Sequence, residues 1–282
     1  MLLLSLATLV FTAVTLVVIG DTAGKLLTAQ GVDAAFVAWS RFVIATAVLL
    51  PFSGLSLREL RSVSDWRVTL RAVFIAAGIF CMISALRTEP IANVFGAFFI
   101  GPIVSYVLAV LVLGERVSRS RTLLLGLGFC GVLFVVKPGF GLSWGMIFAL
   151  GAGTCYGCYL AMTRIVAAVY RPRFLLISQL AVGSIMLAPF GITAEWPVLE
   201  LNLSFLIMVS ALGSALGNYL LVIASRSGEA SLIAPLAYTQ LISATVIGIA
   251  VFADWPDMFT LFGLALICFS GLGSLWTQRR KR

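Results

Sequence analysis

Ten stretches of this 282-residue chain carry no charged side chain: 2–20, 42–57, 72–86, 90–114, 122–136, 138–163, 174–194, 201–225, 230–253 and 258–278. A helix needs about 20 apolar residues to cross a bilayer core of roughly 30 Å, so each stretch is read as one crossing. The second reaches full length only with Arg41 inside it, and the third and fifth only if Arg71 and Arg121 snorkel outward. Charged residues make up only 11% of the chain and hydrophobic ones 61%, whereas a soluble domain needs about 25% charged residues for its surface. Lipid is therefore the expected solvent. The expected fold is an all-α membrane protein of ten transmembrane helices. The first stretch lacks a basic start and a small-residue cleavage site, so it is read as a retained helix rather than a secretory signal.

The net charge of +8 points to orientation rather than to nucleic acid. With the N-terminus in the cytoplasm, cytoplasmic ends collect Arg58, Arg61, Arg67, Arg71, Arg116, Arg119, Arg121, Arg164, Arg171, Arg173, Arg226, Arg279, Arg280, Lys281 and Arg282. The opposite ends hold Lys25, Arg87 and Lys137. The positive-inside rule then puts both termini in the cytoplasm of a cell with this protein in its inner membrane. No nucleic-acid partner is expected. Cys81, Cys130, Cys155, Cys158 and Cys268 all fall in apolar stretches, and the chain has no histidine, so the Cys155-x-x-Cys158 spacing is read as packing. Neither a metal nor a cofactor is expected.

A shift of 139 positions aligns Thr15 with Thr154, Ala76 with Ala215, Gly78 with Gly217, Ala85 with Ala224 and Arg87 with Arg226, and superposes span one on six, three on eight and four on nine. Five crossings per half is an odd number, so residues 140–282 enter the membrane from the side opposite to residues 1–139. Inverted repeats of this kind are carrier architecture, with two nearly equal packings around a site near the midplane. Pro102 and Pro235 interrupt spans four and nine and are expected to kink them. Gly153-x-x-x-Gly157 and Gly213-x-x-x-Gly217 are expected to be close helix crossings.

The segment Ala85-Leu-Arg-Thr-Glu-Pro-Ile-Ala-Asn93, then Pro102 and Leu113-Gly-Glu115, resembles the first-half signature of the drug/metabolite transporter superfamily, ten-helix EamA type. Gly228-Glu-Ala-Ser-Leu-Ile-Ala-Pro235, Tyr238-Thr-Gln240 and Phe252-Ala-Asp254 resemble its second-half counterpart, with Ala253-Asp254 departing from Gly114-Glu115. The resemblance implies a secondary carrier in which spans one to four and six to nine surround a cavity while five and ten pack outside. It implies a small-molecule substrate such as an amino acid, a nucleotide-like metabolite or a vitamin of the riboflavin type, and a monomer or homodimer in the lipid bilayer. An intramembrane enzyme, or a membrane sensor or assembly partner without flux, is the alternative; the absence of histidine, paired intramembrane carboxylates and a phosphate-cradling loop weighs against the enzyme.

Ionisable groups inside a membrane are costly, which makes them functional candidates. Arg41 is placed about 10 Å below the outer end of span two. If span one runs to about Leu27, Asp21 lies at the same depth and can pair with Arg41, and Lys25, one turn on, can share that carboxylate. Arg41 reads either as part of a gate or a substrate-binding site for an anionic group, with Asp21 and Lys25 as gate or coupling groups, or equally as a structural tie between spans one and two. Ser210, Ser214 and Asn218 form a polar stripe on span eight beside Tyr219. Asn93 and Phe98 flank Pro102, Tyr238 and Gln240 follow Pro235, and Trp39 with Tyr159 completes the candidate aromatic and amide lining, Tyr156 adding to that wall.

Overall fold

Residues 34–49 illustrate how the chain sets its spans. Asp33 stands in extended backbone and accepts a bond from the Ala35 N–H, which starts the helix at Ala34, and Arg41 is carried into its interior. In the computed structural model the chain is helical almost throughout. It describes every residue except 1, 57–58, 60–61, 113, 115–118, 137–141, 199, 228–238 and 280–282. The helices are α1 (Leu2–Ala29), α2 (Ala34–Leu49), α3 (Trp66–Leu86), α4 (Ile91–Phe98), α5 (Ile100–Leu111), α6 (Arg119–Val136), α7 (Trp144–Ala167), α8 (Pro172–Thr193), α9 (Leu201–Ser227), α10 (Thr239–Phe252) and α11 (Met258–Arg279). Helices α4 and α5 are the two halves of span four. Among the described residues, six spans are long and apolar enough to cross a membrane and four shorter apolar helices accompany them.

Local sequence explains the boundaries. Asp65 caps α3 at the Arg67 N–H, Ser143 caps α7 at the Met146 N–H, and Pro172 opens α8, where a missing N–H costs nothing. The Arg67 N–H, and after it the Tyr170 hydroxyl at 2.9 Å, hold the Asp65 carboxyl below its ordinary range. Span two begins eight residues before the uncharged stretch, because a paired arginine does not end a helix. Span four breaks at Phe99 rather than bending at Pro102. The pyrrolidine ring excludes the carbonyl of the residue four back, which is Phe98, so the helix yields there. Pro235, the expected kink of span nine, lies outside the described residues.

Helix packing follows the inversion, which exchanges span one with six, two with seven, three with eight, four with nine and five with ten. Helix α1 packs on α9 and α3 on α7, each the image of the other. Helix α2 packs on α8, α6 on α11 and α4 on α10, pairs that the operation maps onto themselves. Spans five and ten lie outside, crossing so closely that a Cβ on Gly131 or Gly263 would stand 2.6 Å from the other's carbonyl oxygen. Gly153 and Gly157 meet the carbonyls of Phe98 and Gly101, and Gly213 and Gly217 meet those of Leu16 and Ala13, so both small-residue motifs are helix crossings as expected. Phe11, Leu123, Ile185, Phe205, Phe262 and Phe269 are exposed on the outside, as a lipid-facing surface requires.

Ten crossings return the chain to the face from which it started. That face is called the termini face below, and the other the opposite face. Arg41 lies toward the opposite face and Arg71 toward the termini face.

Candidate functional site

The cavity grows out of the break in span four. There α4 ends with Phe98, whose ring lies 4.9 Å from that of Tyr156 in the middle of α7. Around this pair a cavity of about 50 Å³ is lined by Val17 and Asp21 of α1, Ile75, Gly78, Ile79 and Met82 of α3, Ala152 of α7, Ser214, Asn218 and Leu221 of α9 and Gln240 of α10. Val17, Ile75, Gly78, Ala152, Tyr156 and Ser214 fall near the centres of their helices, which puts the cavity near the bilayer midplane. All the lining spans are members of exchanged pairs, one with six, three with eight and four with nine. Spans two and seven support it from behind without lining it, a narrower set than the resemblance implied.

The repeat reaches the side chains. The shift of 139 positions carries Val17 onto Tyr156, Ile75 onto Ser214, Ile79 onto Asn218 and Met82 onto Leu221, and all eight line the cavity. The first half contributes the apolar member of each pair, while the second contributes a polar or aromatic group in three of the four. One wall is therefore aliphatic. The other offers a phenol, a hydroxyl and an amide, with Asp21 supplying the charge.

Behind Asp21, Arg41 is 3% exposed and donates three bonds: to Asp21 Oδ1 at 2.6 Å, to the Gly20 carbonyl at 2.6 Å and to the Ser210 hydroxyl at 2.7 Å. The Asp21–Arg41 pair has the geometry expected from helix depth, and Ser210 joins it from α9. Lys25 does not share the Asp21 carboxylate. It reaches Asp254 Oδ2 at 3.2 Å and the Glu89 carbonyl at 2.8 Å, and lies 4.8 Å from the centre of the Phe252 ring. The cause is reach: a turn further along α1, Lys25 has left the depth of the pair and meets the loops of the opposite face.

Several other candidates fall elsewhere. Trp39 seats its ring on Gly191, donates to the Ser184 carbonyl at 3.1 Å and packs with Phe36 and Trp196, so it fastens α2 to α8. Asn93 turns away from the cavity and accepts from the Thr260 hydroxyl of α11 at 3.2 Å. Tyr159 stacks on Tyr156 but is itself buried behind the wall, and Tyr219 packs into the apolar core without lining the cavity. Tyr238 lies outside the described residues. Phe98, Asn218, Gln240 and Asp21 are brought together as expected. In the polar stripe, Ser214 and Asn218 face the cavity while Ser210 holds Arg41, so the stripe serves both.

Arg71 is the largest correction. Rather than snorkelling to the surface, it is fully buried, donating to Thr163 Oγ1 at 2.8 Å, the Tyr159 hydroxyl at 2.8 Å and the Leu175 carbonyl at 2.9 Å. Its guanidinium carbon lies 4.6 Å from the centre of the Tyr159 ring. All five cysteines are free thiols. Among the described residues, no cluster of carboxylates and thiols could hold a metal ion.

Comparison with known proteins agrees with the geometry. The chain is 24% identical to a riboflavin transporter of Rhizobium johnstonii, over 82% of this chain and 78% of that one. It is 25% identical to an S-adenosylmethionine uptake transporter of Rickettsia bellii, over 86% and 84% of the two chains. It is 26% identical to a riboflavin transporter of Brucella anthropi, over 87% and 89%. A solved crystal structure superposes with a TM-score of 0.67 over 99% of both chains at 17% identity, which establishes the shared fold. The model of the EamA-like transporter family matches twice, over residues 4–137 and again over 143–276, so nearly every residue that builds the inverted pair lies within a match. With both halves matched, and the cavity drawn evenly from the two, the chain belongs to the EamA-like transporter family.

Proposed function

We propose that this small-molecule transporter carries a flat, hydrogen-bonding heteroaromatic metabolite of the vitamin or nucleoside type, by alternating access, across a bacterial inner membrane with both termini in the cytoplasm. The observation that carries the substrate reading is the composition of the cavity. The rings of Phe98 and Tyr156, in contact with each other, stand in its wall with the hydroxyl of Ser214 and the amides of Asn218 and Gln240. A planar ring system with polar edges satisfies both kinds of group at once, whereas an aliphatic amino acid leaves the ring faces unused. The names of the relatives support the same class, since riboflavin and S-adenosylmethionine both contain a fused heteroaromatic ring. The orientation is supported by the distribution of arginine and lysine along the sequence.

In this reading Asp21 is the coupling carboxylate. It is the charged group of the cavity wall, and a proton or a cationic substrate group arriving there competes with Arg41 for it. The test is uptake and efflux in proteoliposomes of the purified protein, with labelled riboflavin, S-adenosylmethionine, nucleosides and amino acids, with and without a pH gradient. Saturable flux of a heteroaromatic compound, competed by its relatives and poorly by amino acids, is expected. Flux confined to amino acids would overturn the substrate class while leaving the carrier intact.

A further inference from the structure

We propose that Arg71 is the latch of a gate at the termini face, the counterpart of a latch made by Asp21 and Arg41 at the opposite face if that pair is a gate, and that it releases without a counter-ion. Arg41 stands on α2 and ties it to α1 and α9. Exchange of the two repeats turns that trio into α8, α7 and α3. This second junction is the one that Arg71 closes, from α3 to Tyr159 and Thr163 of α7 and Leu175 of α8. The Tyr159 hydroxyl passes the tie on, donating to Gln179 of α8 at 3.2 Å. The sequence repeat hides the correspondence, because the 139-position shift sets Arg71 against Ser210, the acceptor of Arg41, rather than against Arg41 itself.

The two junctions differ in charge. Arg41 is neutralised by Asp21, but among the described residues no carboxylate lies within ion-pairing distance of Arg71. A guanidinium withdrawn from water and held by neutral acceptors recovers hydration when its junction opens, so the closed and open forms lie close in free energy. Alternating access requires such near-balance. A buried cation kept only for packing is the competing explanation. It predicts that removing Arg71 loosens both faces alike, or neither.

This role rests on alternating access but not on the identity of the substrate, because gate opening is read without one. In a background with the five cysteines replaced, Ile79→Cys reports from the cavity wall, and a membrane-impermeant maleimide is applied to right-side-out and inside-out vesicles. Arg71→Gln removes the cation from three bonds and is expected to raise the ratio of labelling from the termini face to labelling from the opposite face by more than about tenfold, since a single charge-assisted hydrogen bond puts about that factor on an equilibrium. Arg41→Gln is expected to move the ratio the other way. Tyr159→Phe keeps the cation, the ring and the other two Arg71 bonds and removes the Arg71–Tyr159 and Tyr159–Gln179 bonds, so it shifts the ratio in the direction of Arg71→Gln by a smaller factor, and it decides the matter if Arg71→Gln fails to insert. An unchanged ratio in Tyr159→Phe together with an unchanged or reversed ratio in any inserted Arg71→Gln overturns the assignment. Absence of heteroaromatic flux in the protein with Arg71 intact, with the ratio shifted as expected in the variants, would overturn the substrate reading and leave the latch standing.

Discussion

At the scale of single residues, the buried ion pair sets the sharpest expectation. Removing one partner of such a pair leaves an uncompensated charge and costs roughly 3–5 kcal/mol, whereas replacing both with neutral groups is far cheaper. Arg41→Ala should therefore lower both transport and thermal stability. The double variant Asp21→Asn with Arg41→Gln should regain most of the stability, read as the unfolding midpoint in detergent. If the pair is a gate, transport stays low and loses its response to a pH gradient; full recovery of gradient-driven flux would make it a structural tie. The pair was legible in the sequence because helix rise alone sets the depths of Asp21 and Arg41. Lys25 was not, because its partner Asp254 is 229 residues away and reached only through the fold. Trp39 and Asn93 failed for another reason: residue type says that a group suits a cavity, but only the rotation of its helix says whether it faces one. Arg71 was missed because an arginine at the edge of an apolar stretch reads as a surface group when its neutral acceptors, Thr163, Tyr159 and Leu175, lie on helices far along the chain.

Helices and their crossings were more readable, since glycine spacing and uncharged runs are local signals. Where the crossings matter, volume decides. A Cβ on Gly157 would stand 2.5 Å from the Gly101 carbonyl oxygen, while one on Gly126 meets nothing within 4 Å. Gly157→Val should sharply reduce the yield of folded protein by size-exclusion chromatography, and Gly126→Ala should leave it unchanged. The turn after α10 carries a subtler cost. Ala253 adopts φ 55°, and the residue 139 positions earlier, Gly114, adopts φ 65°. The repeat has thus kept the left-handed backbone while losing the residue that favours it. A side chain pays about 1–2 kcal/mol there, partly offset by the greater freedom of glycine in the unfolded chain. Ala253→Gly should raise stability by roughly 0.5–1 kcal/mol, seen as a higher unfolding midpoint, with the Lys25–Asp254 tie preserved. The break of span four at Phe99 was half legible: Pro102 announced a disruption, and the excluded carbonyl four residues back moved it toward the cavity.

The whole molecule adds a constraint that neither residues nor helices supply alone. Two inverted halves share one cavity, so a residue on the path to one face has a counterpart on the path to the other. Met82 lies in the final turns of α3, toward the opposite face, and its counterpart Leu221 lies in the last third of α9, toward the termini face. Each is an apolar side chain of the cavity wall, so a cysteine in its place reports access without removing a polar contact. In the cysteine-free background, Met82→Cys should be modified faster by an impermeant thiol reagent from the opposite face and Leu221→Cys faster from the termini face. A transported substrate should slow both, because the cavity is common to the two routes. Reciprocal access with shared protection requires one pathway open to each side in turn. If both positions react from a single face and ignore the substrate, the cavity is a vestibule rather than the route. The matched liners would then reflect only the ancestry of the two halves, since duplication preserves packing positions whether or not a solute passes between them.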